Sequence, residues 1–170
     1  MDAETVAADA EADPENVARL ICLKLLAEAP RTRRHLADAL SARHVPDAAA
    51  GAVLDRLTDV GLIDDAAFAT SWVISRQQGR GLSRRALRAE LRQRGVDAEV
   101  VETALIAVDR DDELAAARAL VARRLSATVE LARPARARRL AGMLARRGYS
   151  ADLIQQVVRE ALGESLSSAE

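Results

Sequence analysis

Aromatic side chains are almost missing from this sequence: Phe68, Trp72 and Tyr149 are the only three in 170 residues. That scarcity argues against a β-rich fold and against nucleic-acid binding by base stacking, which needs several exposed rings. Cysteine is reduced to Cys22, inside the apolar run LICLKLL, so no internal disulfide exists and a reducing cytoplasm is the expected compartment. No stretch of eighteen apolar residues occurs, and MDAETVAADAEADPEN lacks the basic and apolar regions of a signal peptide. Neither export nor membrane insertion is expected. Lysine is nearly absent too, because all but one of the 25 basic residues are arginine.

What is present is a helix former's composition. Apolar residues make up 49% of the chain, and they are mainly Ala, Leu and Val. The net charge of -1 conceals an asymmetry: residues 1–16 hold six acids and no base, leaving 25 basic against 20 acidic side chains in residues 17–170, a body charge of +5. Residues 1–12 read as a disordered acidic tail and 163–170 as a frayed polar end. The folded body begins at Asp13-Pro14, a capping acid followed by a proline suited to the first helical position.

Three segments superpose in register: RRHLADALSARHV from Arg33, RRALRAELRQRGV from Arg84 and RARRLAGMLARRGY from Arg136. Leu36, Leu87 and Leu140 correspond, as do Leu40, Leu91 and Leu144, then Arg43, Arg94 and Arg147. Gly95 and Gly148 stand where a helix ends in the left-handed conformation, and His44 breaks that rule. A leading helix precedes each segment and a capped helix follows it. The expectation is an all-α chain of nine helices in three tandem three-helix repeats, 13–62, 63–110 and 111–162, forming an elongated row. The period matches neither tetratricopeptide, ankyrin nor armadillo repeats.

Catalytic signatures are lacking. His35 and His44 have no cysteine nearby and are poorly spaced for a metal. GRGLS at Gly79 follows a helix rather than a strand, so it reads as a flexible connection and not a phosphate loop. Asp64-Asp65 and Asp111-Asp112 open helices, where capping accounts for them. No cofactor, metal or enzyme activity is expected.

Arginine is concentrated in two stretches without acids. Arg76, Arg80, Arg84, Arg85 and Arg88 lie between Trp72 and Ala89, and Arg133, Arg136, Arg138, Arg139, Arg146 and Arg147 lie between Leu131 and Ala151. Arg84, Arg85, Arg88 and Arg92 share one helical arc beside the Leu87/Leu91 stripe. Such a face repels itself unless something supplies negative charge. A helix-turn-helix reading of RQRGVDAEVVETAL fails, because Asp97, Glu99 and Glu102 would face phosphates.

GLIDDAAFATSWVISR followed by SRRALRAELRQRGV resembles the central signature of the RecX family of bacterial regulatory proteins, through Gly61, Leu62, Asp64, Asp65, Phe68, Ala69, Trp72 and Arg76. The resemblance implies tandem three-helix repeats, no catalysis, and binding to the RecA nucleoprotein filament. RecA ATPase, recombinase and coprotease activities would be inhibited, with consequences for DNA repair, recombination and the SOS response. On the charge pattern, the residues expected to meet filament carboxylates or exposed phosphates are Arg76, Arg84, Arg85, Arg88, Arg92, Arg136, Arg138, Arg139, Arg146 and Arg147. Leu62, Asp64, Asp65, Phe68 and Trp72 are expected to be mainly structural, with the two rings filling the middle module and Leu62 stapling the helix start. A monomer is expected. The alternative is a non-specific, electrostatic DNA-binding helical repeat protein.

Overall fold

A computed structural model describes residues 13–163; the expected acidic tail, 1–12, and residues 164–170 lie outside the described residues. Among the described residues there are nine α-helices and no strand, with three helices to a module. Module one contains α1 (Pro14–Glu28), α2 (Arg33–Ser41) and α3 (Asp47–Asp59). Module two contains α4 (Asp65–Arg80), α5 (Arg84–Gln93) and α6 (Ala98–Ala104). Module three contains α7 (Arg110–Leu125), α8 (Arg133–Ala145) and α9 (Ala151–Ala161).

Local chemistry sets the helix starts. Asp13 accepts the Glu15 amide ahead of Pro14, Thr32 accepts from His35, Ser83 from Ala86, and Ser150 from Leu153. Helix α7 begins earlier than Asp112, because Asp109 and Asp112 form a reciprocal capping box. Helix α6 is shorter than expected and tightens into a 3-10 turn, Leu105–Ala107, which carries Leu105 and Val108 into the core.

Each module has its own apolar core, and the three cores are built alike. The first helix contributes a small residue and a slim one a turn later: Ala18 and Cys22, Ala69 and Val73, Ala117 and Val121. The second contributes the paired leucines Leu36/Leu40, Leu87/Leu91 and Leu140/Leu144, none more than 1% exposed. Residues four apart share a helix face, so alanine opposite leucine brings the helices close. Cys22 occupies the place of Val73 and Val121, and burial pushes its thiol pKa up. It is a core residue.

The GRGLS connection is not flexible. Gly79 is helical, while Gly81 ends α4 at φ +59° and is buried against module three, where an added Cβ would lie 2.8 Å from Leu120 Cδ1. It is part of a joint between modules.

Candidate functional site

Two joints with one design join the modules. At the first, the Asp65 carboxylate accepts the Arg33 amide at 2.9 Å, and the Thr32 hydroxyl donates to the Arg94 carbonyl at 2.7 Å. At the second, Glu113 accepts the Arg84 amide at 2.8 Å, and the Ser83 amide donates to the Arg147 carbonyl at 3.0 Å. An acid from the following module's first helix thus serves the exposed amide end of the preceding module's second helix, where the partial positive charge of the helix lies. The second joint is reinforced by Tyr149, whose hydroxyl donates to the Gly81 carbonyl at 3.0 Å, and by Arg147, whose Nε donates to the Arg80 carbonyl at 3.0 Å. Burial, then the negative charge of Glu113, pushes the Tyr149 phenol up to about 12, with Arg147 opposing. Asp64 and Asp65 therefore differ in role. Asp64 caps its own helix through the Ala67 amide, and Asp65 reaches across the joint.

Phe68 and Trp72 do not fill the middle of module two, as the sequence suggests. They are stacked with centroids 5.6 Å apart and half-buried, at a groove whose other wall is Ala29 to Thr32 of module one. Two guanidinium groups lie over the Trp72 ring, that of Arg76 at 4.0 Å and that of Arg94 at 3.7 Å. The indole nitrogen donates to Glu90 at 2.9 Å. The Glu90 carboxylate also lies 3.7 Å from Arg76 and 3.9 Å from Arg80. Burial lowers the Arg94 pKa, with Arg76 and Arg80 adding to the effect and Glu90 resisting it. Leu62 does not take the staple position. It is 52% exposed along the groove, and Ile63 is the residue buried, in module one's core.

The expectation that the arginine face of α5 lacks neutralising acids is corrected by helix α6. Glu102 receives two hydrogen bonds from Arg88, at 2.6 and 2.8 Å, and lies 3.8 Å from Arg84. The hydrogen bond from Arg88 holds the Glu102 carboxyl below the usual range, and Arg84 and Arg92 help. Other arginines are bonded to the protein itself. Arg85 donates to the Gly148 carbonyl, Arg136 to Thr128 and the Leu125 carbonyl, and Arg133 to the Leu162 carbonyl. Arg92, Arg138, Arg139 and Arg146 are exposed and make no hydrogen bond or ion pair with a described residue. Sequence reasoning missed Arg94 and Arg124. Aligning the first helices on Ala69/Val73 and Ala117/Val121 would have paired Arg124 with Arg76.

All three modules match family models. The models describe the first three-helix domain of RecX, over residues 18–57, the second, over 64–105, and the third, over 111–158. The chain belongs to the RecX family. Its relatives include the regulatory protein RecX of Streptomyces lividans, 56% identical over 152 residues, 89% of this chain and 81% of the relative. The Thermobifida fusca RecX is 56% identical over 154 residues, 89% and 83% of the two chains. The Mycobacterium marinum RecX is 48% identical over 151 residues, 87% and 86%. A RecX crystal structure from Lactobacillus salivarius shares the fold, with a TM-score of 0.78 at 21% identity, covering 88% of this chain and 97% of that one. As in other RecX proteins, the three helical domains run in tandem, and no helix among the described residues is long and apolar enough to cross a membrane.

Proposed function

We propose that this RecX-family chain is a cytoplasmic regulator that binds the RecA nucleoprotein filament as a monomer and inhibits RecA ATPase, recombination and coprotease activities. Membership of the RecX family across all three modules carries this reading. The surface supports it: once internal pairings are counted, Arg92 on α5 and Arg138, Arg139 and Arg146 on α8 remain for carboxylates or phosphates of a partner. Arg84, Arg85, Arg88, Arg136 and Arg147 help shape that surface while holding the fold. The joints tie the modules into one body able to engage more than one subunit of a filament. The second reading, non-specific DNA binding, is favoured by the same unpaired arginines. Co-sedimentation separates the two readings. A filament regulator pellets with RecA assembled on single-stranded DNA under salt conditions where it does not pellet with DNA alone. Equal recovery with DNA alone would support the second reading and overturn the first.

A further inference from the structure

A cleft of about 180 Å³ between the end of α7 and the face of α8 is lined by four arginines, Arg124, Arg139, Arg146 and Arg147, with Thr128 and Met143. Arg139, Met143, Arg146 and Arg147 share one face of α8, and Arg124 approaches from the last turn of α7. Arg147 is held by the Arg80 and Met143 carbonyls, so its position is fixed by the second joint. Arg124, Arg139 and Arg146 make no hydrogen bond or ion pair with a described residue, and no acid lines the cleft. Four like charges around one concavity repel one another unless an anion enters.

Module two contains the same framework in a closed form. By the core alignment, Arg124 stands where Arg76 does, Arg147 where Arg94 does, and Leu120 where Trp72 does. In module two the centre of that face is Glu90, which takes the Trp72 N–H and neutralises Arg76 and Arg80. In module three the equivalent residue is Met143, which has no charge to give. Two further positions, Ala86 and Gln93 in module two, are Arg139 and Arg146 in module three. The second copy is thus neutralised from within. The third has lost its acid and gained two guanidinium groups.

We propose that the Arg124/Arg139/Arg146/Arg147 cleft is a binding site for a phosphate group, either a phosphodiester of a nucleic-acid strand or the phosphates of a free phosphate compound. Planar guanidinium forks suit bidentate contact to phosphate oxygens, and convergence of several on one small concavity suits a compact, highly charged anion. The site needs only this chain and a phosphate, so it stands apart from the RecA reading.

The test uses the full chain without RecA and a short labelled oligothymidylate, with affinity measured over a range of salt. The variant Arg139→Gln/Arg146→Gln is expected to bind at least about tenfold more weakly, with a log–log salt slope shallower by about two, one per lost phosphate contact. The control Arg43→Gln/Arg110→Gln removes the same charge outside the cleft. It is expected to lose about twofold, since distant charges are screened at moderate salt. Met143→Glu places module two's acid in the cleft and is expected to match the arginine pair; thermal melting checks that both fold, and the arginine pair decides alone if Met143→Glu does not. Competition by inorganic pyrophosphate, lost in Arg139→Gln/Arg146→Gln, identifies the ligand as a free phosphate compound; no competition identifies the nucleic-acid backbone. Equal losses in the two arginine pairs would overturn the site. So would binding of an oligoglutamate with the same arginine dependence.

Discussion

Gly95 ends α5 at φ +74°, packed so tightly on Arg34 of the preceding module that a Cβ at Gly95 would lie 2.3 Å from Arg34 Cγ. Gly148 repeats the relationship at the second joint, where a Cβ would meet Ser83 Oγ at 2.6 Å and Ala86 Cβ at 2.9 Å. His44, the counterpart in module one, holds the same left-handed conformation at φ 59°. No module precedes it, so a side chain there has nothing to strike. The glycines are kept for docking as well as for their backbone conformation.

Gly95→Ala and Gly148→Ala are therefore each expected to destabilise the chain by about 2 kcal/mol or more, from left-handed strain plus the clash. His44→Gly is expected to shift stability by less than about 1 kcal/mol, because relief of strain and greater unfolded-state freedom oppose each other. Urea unfolding followed by the fluorescence of Trp72, the chain's one tryptophan, measures all three. Similar losses at the three positions would contradict the docking role.

Tyr149 gives an alkaline test of the second joint. Its folded pKa, about 12, lies above the unfolded value near 10, so its contribution is complete below pH 10 and is lost as pH rises toward 12. Urea midpoints are expected to fall across that window in the native chain. The fall is expected to be shallower in Tyr149→Phe, which starts less stable by about 1–3 kcal/mol because the buried Gly81 carbonyl loses its donor. Parallel pH profiles would show that Tyr149 does not couple ionisation to the joint.

Glu90 and Glu102 should separate packing from charge. Glu90 is 26% exposed and serves Trp72, Arg76 and Arg80; Glu102 is 45% exposed and serves Arg88 and Arg84. Glu90→Ala is expected to cost about 1–3 kcal/mol, since it leaves a half-buried indole N–H and two guanidiniums without their acceptor. Glu102→Ala is expected to cost at most about 1 kcal/mol. The reverse order in urea unfolding would mean that the cluster around Trp72 is not a stabilising unit.

Glu102→Gln has a second consequence. Removing this negative charge leaves Arg84, Arg88 and Arg92 unbalanced, so affinity for an anionic partner is expected to rise and to become more salt-dependent. Titrating labelled single-stranded DNA with native and variant chains reads both quantities. Unchanged affinity and slope would place the α5 face outside any anion-binding surface.

The repeat, the helix caps and the core leucines were legible because their causes are local: spacing by turns, a capping acid before a proline, glycine at a helix end. The arginines were harder to read for a physical reason. Arg88 finds Glu102 fourteen residues away on another helix, and Arg85 and Arg147 find carbonyls 63 and 67 residues away. Counting acids along one helix cannot reveal such partners, and half-buried Trp72 looked like core because the sequence does not show that module one ends beside it. His44 was legible as an exception and became explicable once the joints were seen.

The most direct measurement of the proposed function is the DNA-dependent ATPase of the cognate RecA with substoichiometric amounts of the chain. The native protein is expected to depress the rate, and charge reversal at Arg92, Arg139 and Arg146 is expected to weaken inhibition while thermal stability stays within about 0.5 kcal/mol per site. An unchanged ATPase rate with the folded native chain bound or unbound would contradict the account.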